Sequence, residues 1–176
     1  MADAMAAPAD EPNRAPYILC AGLLVVLAGQ AVYYYPQLPE RMASHFGSDG
    51  QPNGWSSREG FFGIIGFVVL IESAAFLGLP RILGRFPIAL INLPNKQYWL
   101  VPERKQESLA WMTQRMAWFG AAILALIAVV NQMVIQANLS SEARLSDRMW
   151  IVIAVFLVFV AGWMAAIFRR FRLPSC

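Results

Sequence analysis

Charge is what this sequence has least of. Only 14% of its 176 residues are Asp, Glu, Lys or Arg, where a soluble domain carries about a quarter. With 58% hydrophobic residues and a mean hydropathy of +0.49, this deficit argues against a soluble domain and for membrane-spanning helices. Histidine occurs once, as His45, and cysteine twice, as Cys20 and Cys176 at opposite ends of the chain. That inventory excludes a clustered zinc or thiolate site, which needs three or four ligands in a defined geometry. A disulfide is not expected either. Cys20 lies inside an apolar run, where it reads as a small packing residue. A net charge of +3 and a pI of about 9.1 would hint at nucleic acid in a soluble protein. Here the basic residues cluster beside apolar segments, so no nucleic-acid partner is expected. Internal repeats are missing as well. So is a basic leader: "MADAMAAPADEPNRAP" places Asp3, Asp10 and Glu11 ahead of the first apolar run. Residues 1–16 therefore read as a disordered tail rather than a signal peptide, and the first apolar run is expected to be retained.

What is present is four long apolar runs, residues 17–35, 61–82, 109–136 and 150–168. A helix needs about 20 apolar residues to cross a bilayer. In lipid every backbone N–H must find its partner within its own segment, so these runs predict helices. Tyr33, Tyr34 and Tyr35 close the first and Trp150 opens the fourth, as belts of aromatics at headgroup depth do. Arg81, Arg85, Lys96, Arg104 and Lys105 lie in or beside loop 83–108, and Arg169, Arg170 and Arg172 in the tail 169–176. The arginines of loop 36–60 and of the stretch before Trp150 are offset by Glu40, Asp49, Glu59, Glu142 and Asp147. By the positive-inside rule, loop 83–108 and both termini belong in the cytoplasm and loop 36–60 outside. The predicted fold is all-α: a polytopic membrane protein with four transmembrane helices. Asn138-Leu139-Ser140 fits a glycosylation sequon, which matters only in a eukaryotic secretory pathway.

Three groups of residues could carry function. In "LPERMASHFGSDGQPNGW" (38–55), His45, Phe46, Asp49 and Trp55 form a candidate ligand or partner loop. One histidine and one aspartate are too few for a metal. Ser44, His45 and Asp49 could be imagined as a hydrolytic set, yet nothing supplies a strained nucleophile turn or an oxyanion hole. The glycines, with Pro52 and Asn53, read as turn chemistry. Inside the runs, Glu72 and Arg115 form a candidate intramembrane pair, since charges in a membrane helix face a partner or water. Glu72 is roughly 15 Å, and Arg115 roughly 9 Å, from the cytoplasmic ends of their helices. A pair that fixes helix register is the expected role, ahead of a proton relay. Gln30, Asn131 and Gln132 should hydrogen-bond across helices. In the inner loop, "INLPNKQYWLVPERKQES" carries Tyr98, Trp99 and Arg104, a candidate interfacial surface near anionic lipid.

The loop motifs Leu38-Pro39, His45-Phe46, Asp49-Gly50 and Trp55, with "LPNKQYWLVPER" further on, resemble an uncharacterised bacterial membrane domain. That domain also forms the first part of SdpI-type immunity proteins. The resemblance covers about residues 36 to 108. It implies a bacterial inner membrane and assigns no catalytic residue. The expected function is a non-enzymatic small membrane protein, an accessory or structural subunit of a larger membrane complex. An SdpI-like immunity or signalling protein binding an extracytoplasmic peptide through loop 38–55 is the alternative. A small transporter or membrane enzyme comes last. No cofactor is expected, although a bound lipid is compatible with the surface. The partners expected are membrane lipids and either other membrane proteins or a peptide.

Overall fold

A computed structural model describes residues 13–174. Most of the tail expected over 1–16, and Cys176, lie outside the described residues. Helix α1 runs Ala15–Tyr34 with Pro16 in its first turn, where a missing N–H costs nothing. A 3-10 turn, Tyr35–Gln37, follows it. Then come strands β1, Arg41–Phe46, and β2, Pro52–Ser57. Ser57 caps α2, Arg58–Ser73, by accepting from the Gly60 amide. The helix continues through a π-helical turn at Ala74–Gly78 into α3, Leu79–Ile82, and a 3-10 turn. The connector contains a short α4, Lys96–Trp99. Helix α5 spans Pro102–Leu139 and α6 spans Arg148–Arg170.

Among the described residues four helices are long and apolar enough to cross a membrane: Ala15–Gln37, Arg58–Arg85, Pro102–Leu139 and Arg148–Arg170. They coincide with the four apolar runs but overshoot them. The largest excess is at α5, which begins at Pro102 rather than 109. Its first turns, "PERKQES", are polar, and polar residues hydrogen-bond along a helix as well as apolar ones do. Composition marks the apolar thickness and not the helix end.

The all-α expectation needs one correction. The loop 36–60 holds an antiparallel two-stranded hairpin, in which Arg41 pairs with Ser57, Met42 with Ser56 and Ala43 with Trp55. The register slips twice, leaving Ser44 and then Asn53 as extra residues before Phe46 meets Pro52. Such bulges twist a ribbon. Its tip closes through Gly50 at φ 77°, a left-handed conformation that glycine adopts without strain.

Helix α5 is the hub. Its buried face carries Ala117, Gly120, Ala121, Leu124, Ala128, Asn131 and Ile135, spaced as one stripe of a 3.6-residue helix. Against it α1 places Cys20 and Leu27, which form one buried cluster with Ala121, Leu124 and Ala128. A second cluster joins Leu38, Met42 and Phe61 to Val134 and Ile135 at the hairpin end. A third joins Ile91, Leu93 and Leu100 of the connector to Ile167 and Phe171. The outward sides of α2 and α6 leave Ile64, Phe67, Leu70, Ile151, Val155 and Val158 exposed, as helices facing lipid do.

Candidate functional site

Besides the packing of Met42, polar contacts from three residues fasten the hairpin and the chain entering it. The carboxamide of Asn138 accepts from the Ala43 amide at 2.7 Å and donates to the Ala43 carbonyl at 2.9 Å. It thus pairs with the free edge of β1 as a strand would. Arg58 Nη1 donates to the carbonyls of Tyr35 (3.0 Å) and Leu38 (2.9 Å), and its guanidinium lies over the Tyr35 ring. The Leu145 amide donates to the Gly50 carbonyl at 2.9 Å, tying the tip to the α5–α6 connection. Arg58→Ala removes both carbonyl contacts, and hydrogen bonds to charged groups contribute about 1.5–3 kcal/mol. Thermal unfolding in detergent should fall by that amount, and an unchanged transition would show that the hairpin does not depend on Arg58.

On this scaffold the four loop candidates do not converge. His45 is exposed, lies across from Gly54 and meets Ser44 Oγ at 3.2 Å. A side chain at Gly54 would start 3.0 Å from the His45 Cβ, so this glycine makes room for the ring. Asp49 turns back to accept from the Gln51 amide at 3.0 Å. The Ser44–His45–Asp49 set is therefore not assembled. Phe46 packs onto the cluster of Leu38 and Met42. Trp55 stays exposed, with the Arg41 guanidinium 5.6 Å above its ring. It borders an open cleft of about 520 Å³ that Glu40, Ser56 and Glu59 also line.

The intramembrane pair is corrected. No ion pair joins Glu72 to Arg115; the two salt bridges among the described residues are Arg58–Glu59 and Arg170–Glu107. Arg115 is exposed and its guanidinium lies 4.9 Å over Trp111. The reason is helical phase. At about 100° per residue, Arg115 stands roughly 140° round α5 from Gly120, and it is Gly120 that meets Glu72. Glu72 is 6% exposed. Its Oε1 has no hydrogen-bond partner, and its Oε2 is approached by Ser73 Oγ at 3.5 Å. Cys20 fills the packing role expected of it. It is 1% exposed, with its thiol 3.9 Å from the Ala117 carbonyl.

Toward the hairpin end, the expected amide contacts form. Gln30 Nε2 donates to the Ala128 carbonyl (3.0 Å) and to Gln132 Oε1 (3.1 Å). Asn131 Nδ2 donates to Gln30 Oε1 at 2.8 Å, and Gln132 Nε2 to the Tyr34 hydroxyl at 3.1 Å. This network fastens α1 to α5.

At the connector end, the residues expected to form a surface are engaged with the chain itself. Trp99 Nε1 and Asn95 Nδ2 both donate to the Phe171 carbonyl, at 3.0 and 2.8 Å. Arg104 stacks 4.0 Å over Tyr98 and donates to its carbonyl. Arg170 covers Trp99 and pairs with Glu107 at 2.7 Å. The connector thus closes over the end of α6.

Sequence reading missed Asn138, Arg58 and Gly120. Each acts through a residue far along the chain, and nothing in its own neighbourhood marks it. No curated protein and no solved structure matches the chain. The stretch that holds the hairpin, from within α1 to within α2, is similar to a known family: residues 22–70 match the model of a domain of unknown function, DUF1648.

Proposed function

We propose that this chain is a small integral protein of a bacterial inner membrane, with both termini in the cytoplasm. It is not an enzyme and packs as an accessory subunit against a membrane-spanning helix of a larger complex. The observation that carries the reading concerns glycines. Gly22 and Gly29 lie seven residues apart on the exposed side of α1, and a Cβ at either would meet nothing within 4 Å. Seven residues are about two turns, so the two share a face. Glycine inside a helix is about 1 kcal/mol less favourable than alanine, and contacts among the described residues do not call for it. Close approach of a partner helix does, because small residues let backbones meet in lipid. Ala21, Val25, Ala28 and Val32 continue the same exposed surface. The orientation rests on the basic residues, eight of which (Arg81, Arg85, Lys96, Arg104, Lys105, Arg169, Arg170, Arg172) belong to the connector end.

Mild detergent extraction of the tagged protein should yield a membrane protein in stoichiometric amount. The Gly22→Leu/Gly29→Leu variant should lose it while keeping the same thermal transition. Recovery of the wild type alone as a monomer would sink the proposal. One observation favours a second reading, an SdpI-like immunity role. The exposed Trp55, beside its cleft at the hairpin, is a surface on which an extracytoplasmic peptide could dock. A deletion strain with unaltered sensitivity to secreted peptide toxins would dismiss it.

A further inference from the structure

Glu72 is the one buried carboxyl among the described residues that nothing in the fold explains. It is 6% exposed, within a helix long and apolar enough to cross a membrane. The Oε1 atom lies against α5, 3.1 Å from where a Cβ on Gly120 would be. A π-helical turn begins two residues after it, at Ala74. Such turns are frequent at functional sites, and an ionisable residue at membrane depth marks one by default. The groups facing it offer no counter-charge. From α1 the ionisable neighbour is Cys20, whose thiol is turned to the Ala117 carbonyl. From α5 comes Gly120, and the buried residues on its stripe, Ala117 and Leu124, carry no ionisable group. Arg115 lies over Trp111 and Arg81 over Tyr17.

We infer that Glu72 is an intramembrane proton-binding site. A carboxylate left bare in an apolar interior is too costly to persist, so it takes up a cation or stays neutral. A metal cation needs several oxygen ligands. Here Ser73 Oγ, at 3.5 Å, is the single side-chain hydroxyl bonded to it, and the described residues contain no group of His, Cys, Asp and Glu that could hold a metal. A proton needs one oxygen. Binding forms an O–H bond on Glu72 and removes its negative charge, and release returns the proton to water. The two ends differ in how near water comes. Toward the hairpin end, Leu27, Leu124 and Ala128 close the interior before the Gln30–Asn131 amides. Toward the connector end, a cleft of about 420 Å³ between α3 and α5 reaches Thr113, about 10 Å along α5 from Gly120. The connector side is thus the shorter route for exchange, once the bundle opens past the buried Ala117. This site goes beyond the accessory role and does not depend on a partner being bound.

Infrared spectra of the full-length protein in phospholipid vesicles at neutral pH test it. The expected result is a carbonyl-stretch band of a protonated carboxylic acid that shifts in D2O. It should be absent from Glu72→Gln, retained in Glu72→Asp and unchanged in Glu59→Gln. A wild-type spectrum without that band at neutral pH overturns the inference, whether or not Glu72→Gln folds. So does a band that persists in Glu72→Gln, or one abolished by sodium chloride at constant pH, which would name a metal cation as the occupant.

Discussion

Asn138→Leu is expected to detach the hairpin from the bundle. Leucine keeps the volume of asparagine and removes its carboxamide. The Ala43 amide and carbonyl then lose their partners at 2.7 and 2.9 Å. Ala43 is fully buried, so water cannot replace them, and each unsatisfied group costs about 1–3 kcal/mol. A third bond, to the Val134 carbonyl, also goes. Thermal unfolding in detergent should show a loss of several kcal/mol. Protease cleavage between Arg41 and Ser57 should rise before the rest of the chain is cut. Asn138→Asp keeps the acceptor for the Ala43 amide and loses the donor, so it should fall between. A leucine variant within about 1 kcal/mol of the wild type, with an uncleaved hairpin, would mean that pairing with β2 and the packing of Met42 and Phe46 hold β1 without Asn138.

Gly120→Val should disrupt the α2–α5 contact. Even the first carbon of a side chain would stand 2.8 Å from the Phe76 Cβ and 3.1 Å from Glu72 Oε1, where carbons pack at about 3.5–4.0 Å. Overfilling a packed site costs about 1–3 kcal/mol, and the two further methyls of valine meet the same wall. The expected result is a lowered thermal transition for Gly120→Ala and a larger drop for Gly120→Val. Phe76→Gly should rescue part of the Gly120→Ala loss, because it removes the Cβ that stands 2.8 Å from the added carbon; Phe76→Ala, which keeps that Cβ, should not. Strict additivity in that double-mutant cycle would show that the two residues do not interact.

The hairpin and the bundle core differ in how far they could be read from the chain. The four helices were legible because lipid imposes one solution on any long apolar run. The amide contacts of Gln30, Asn131 and Gln132 were legible too, since polar residues inside such runs seek one another. The strands were not. "RMASHF" and "PNGWSS" lack the alternation of apolar and polar residues that marks a half-buried strand. Two bulges break their register, and the residue that completes the edge of β1 lies 95 positions away. The Glu72–Arg115 pairing failed on phase. Depth in the membrane follows from counting residues, but the face a side chain takes depends on which stripe of α5 packs. That stripe is chosen by Gly120, Ala121 and Leu124 meeting α1 and α2.

Composition and hydropathy by themselves determined where the four long apolar helices lie, because the need to pair every backbone N–H within an apolar run acts locally and on every residue of it. Tertiary structure alone decided the rest. It placed Glu72 without a counter-ion at the α2–α5 contact. It turned a glycine-rich loop into a docked hairpin, set Trp99 against the end of α6 and stacked Arg104 on Tyr98 beside it. The docked hairpin and the Trp99 contact depend on groups 95 and 72 residues apart meeting within hydrogen-bond distance, and no local pattern encodes a contact of that kind.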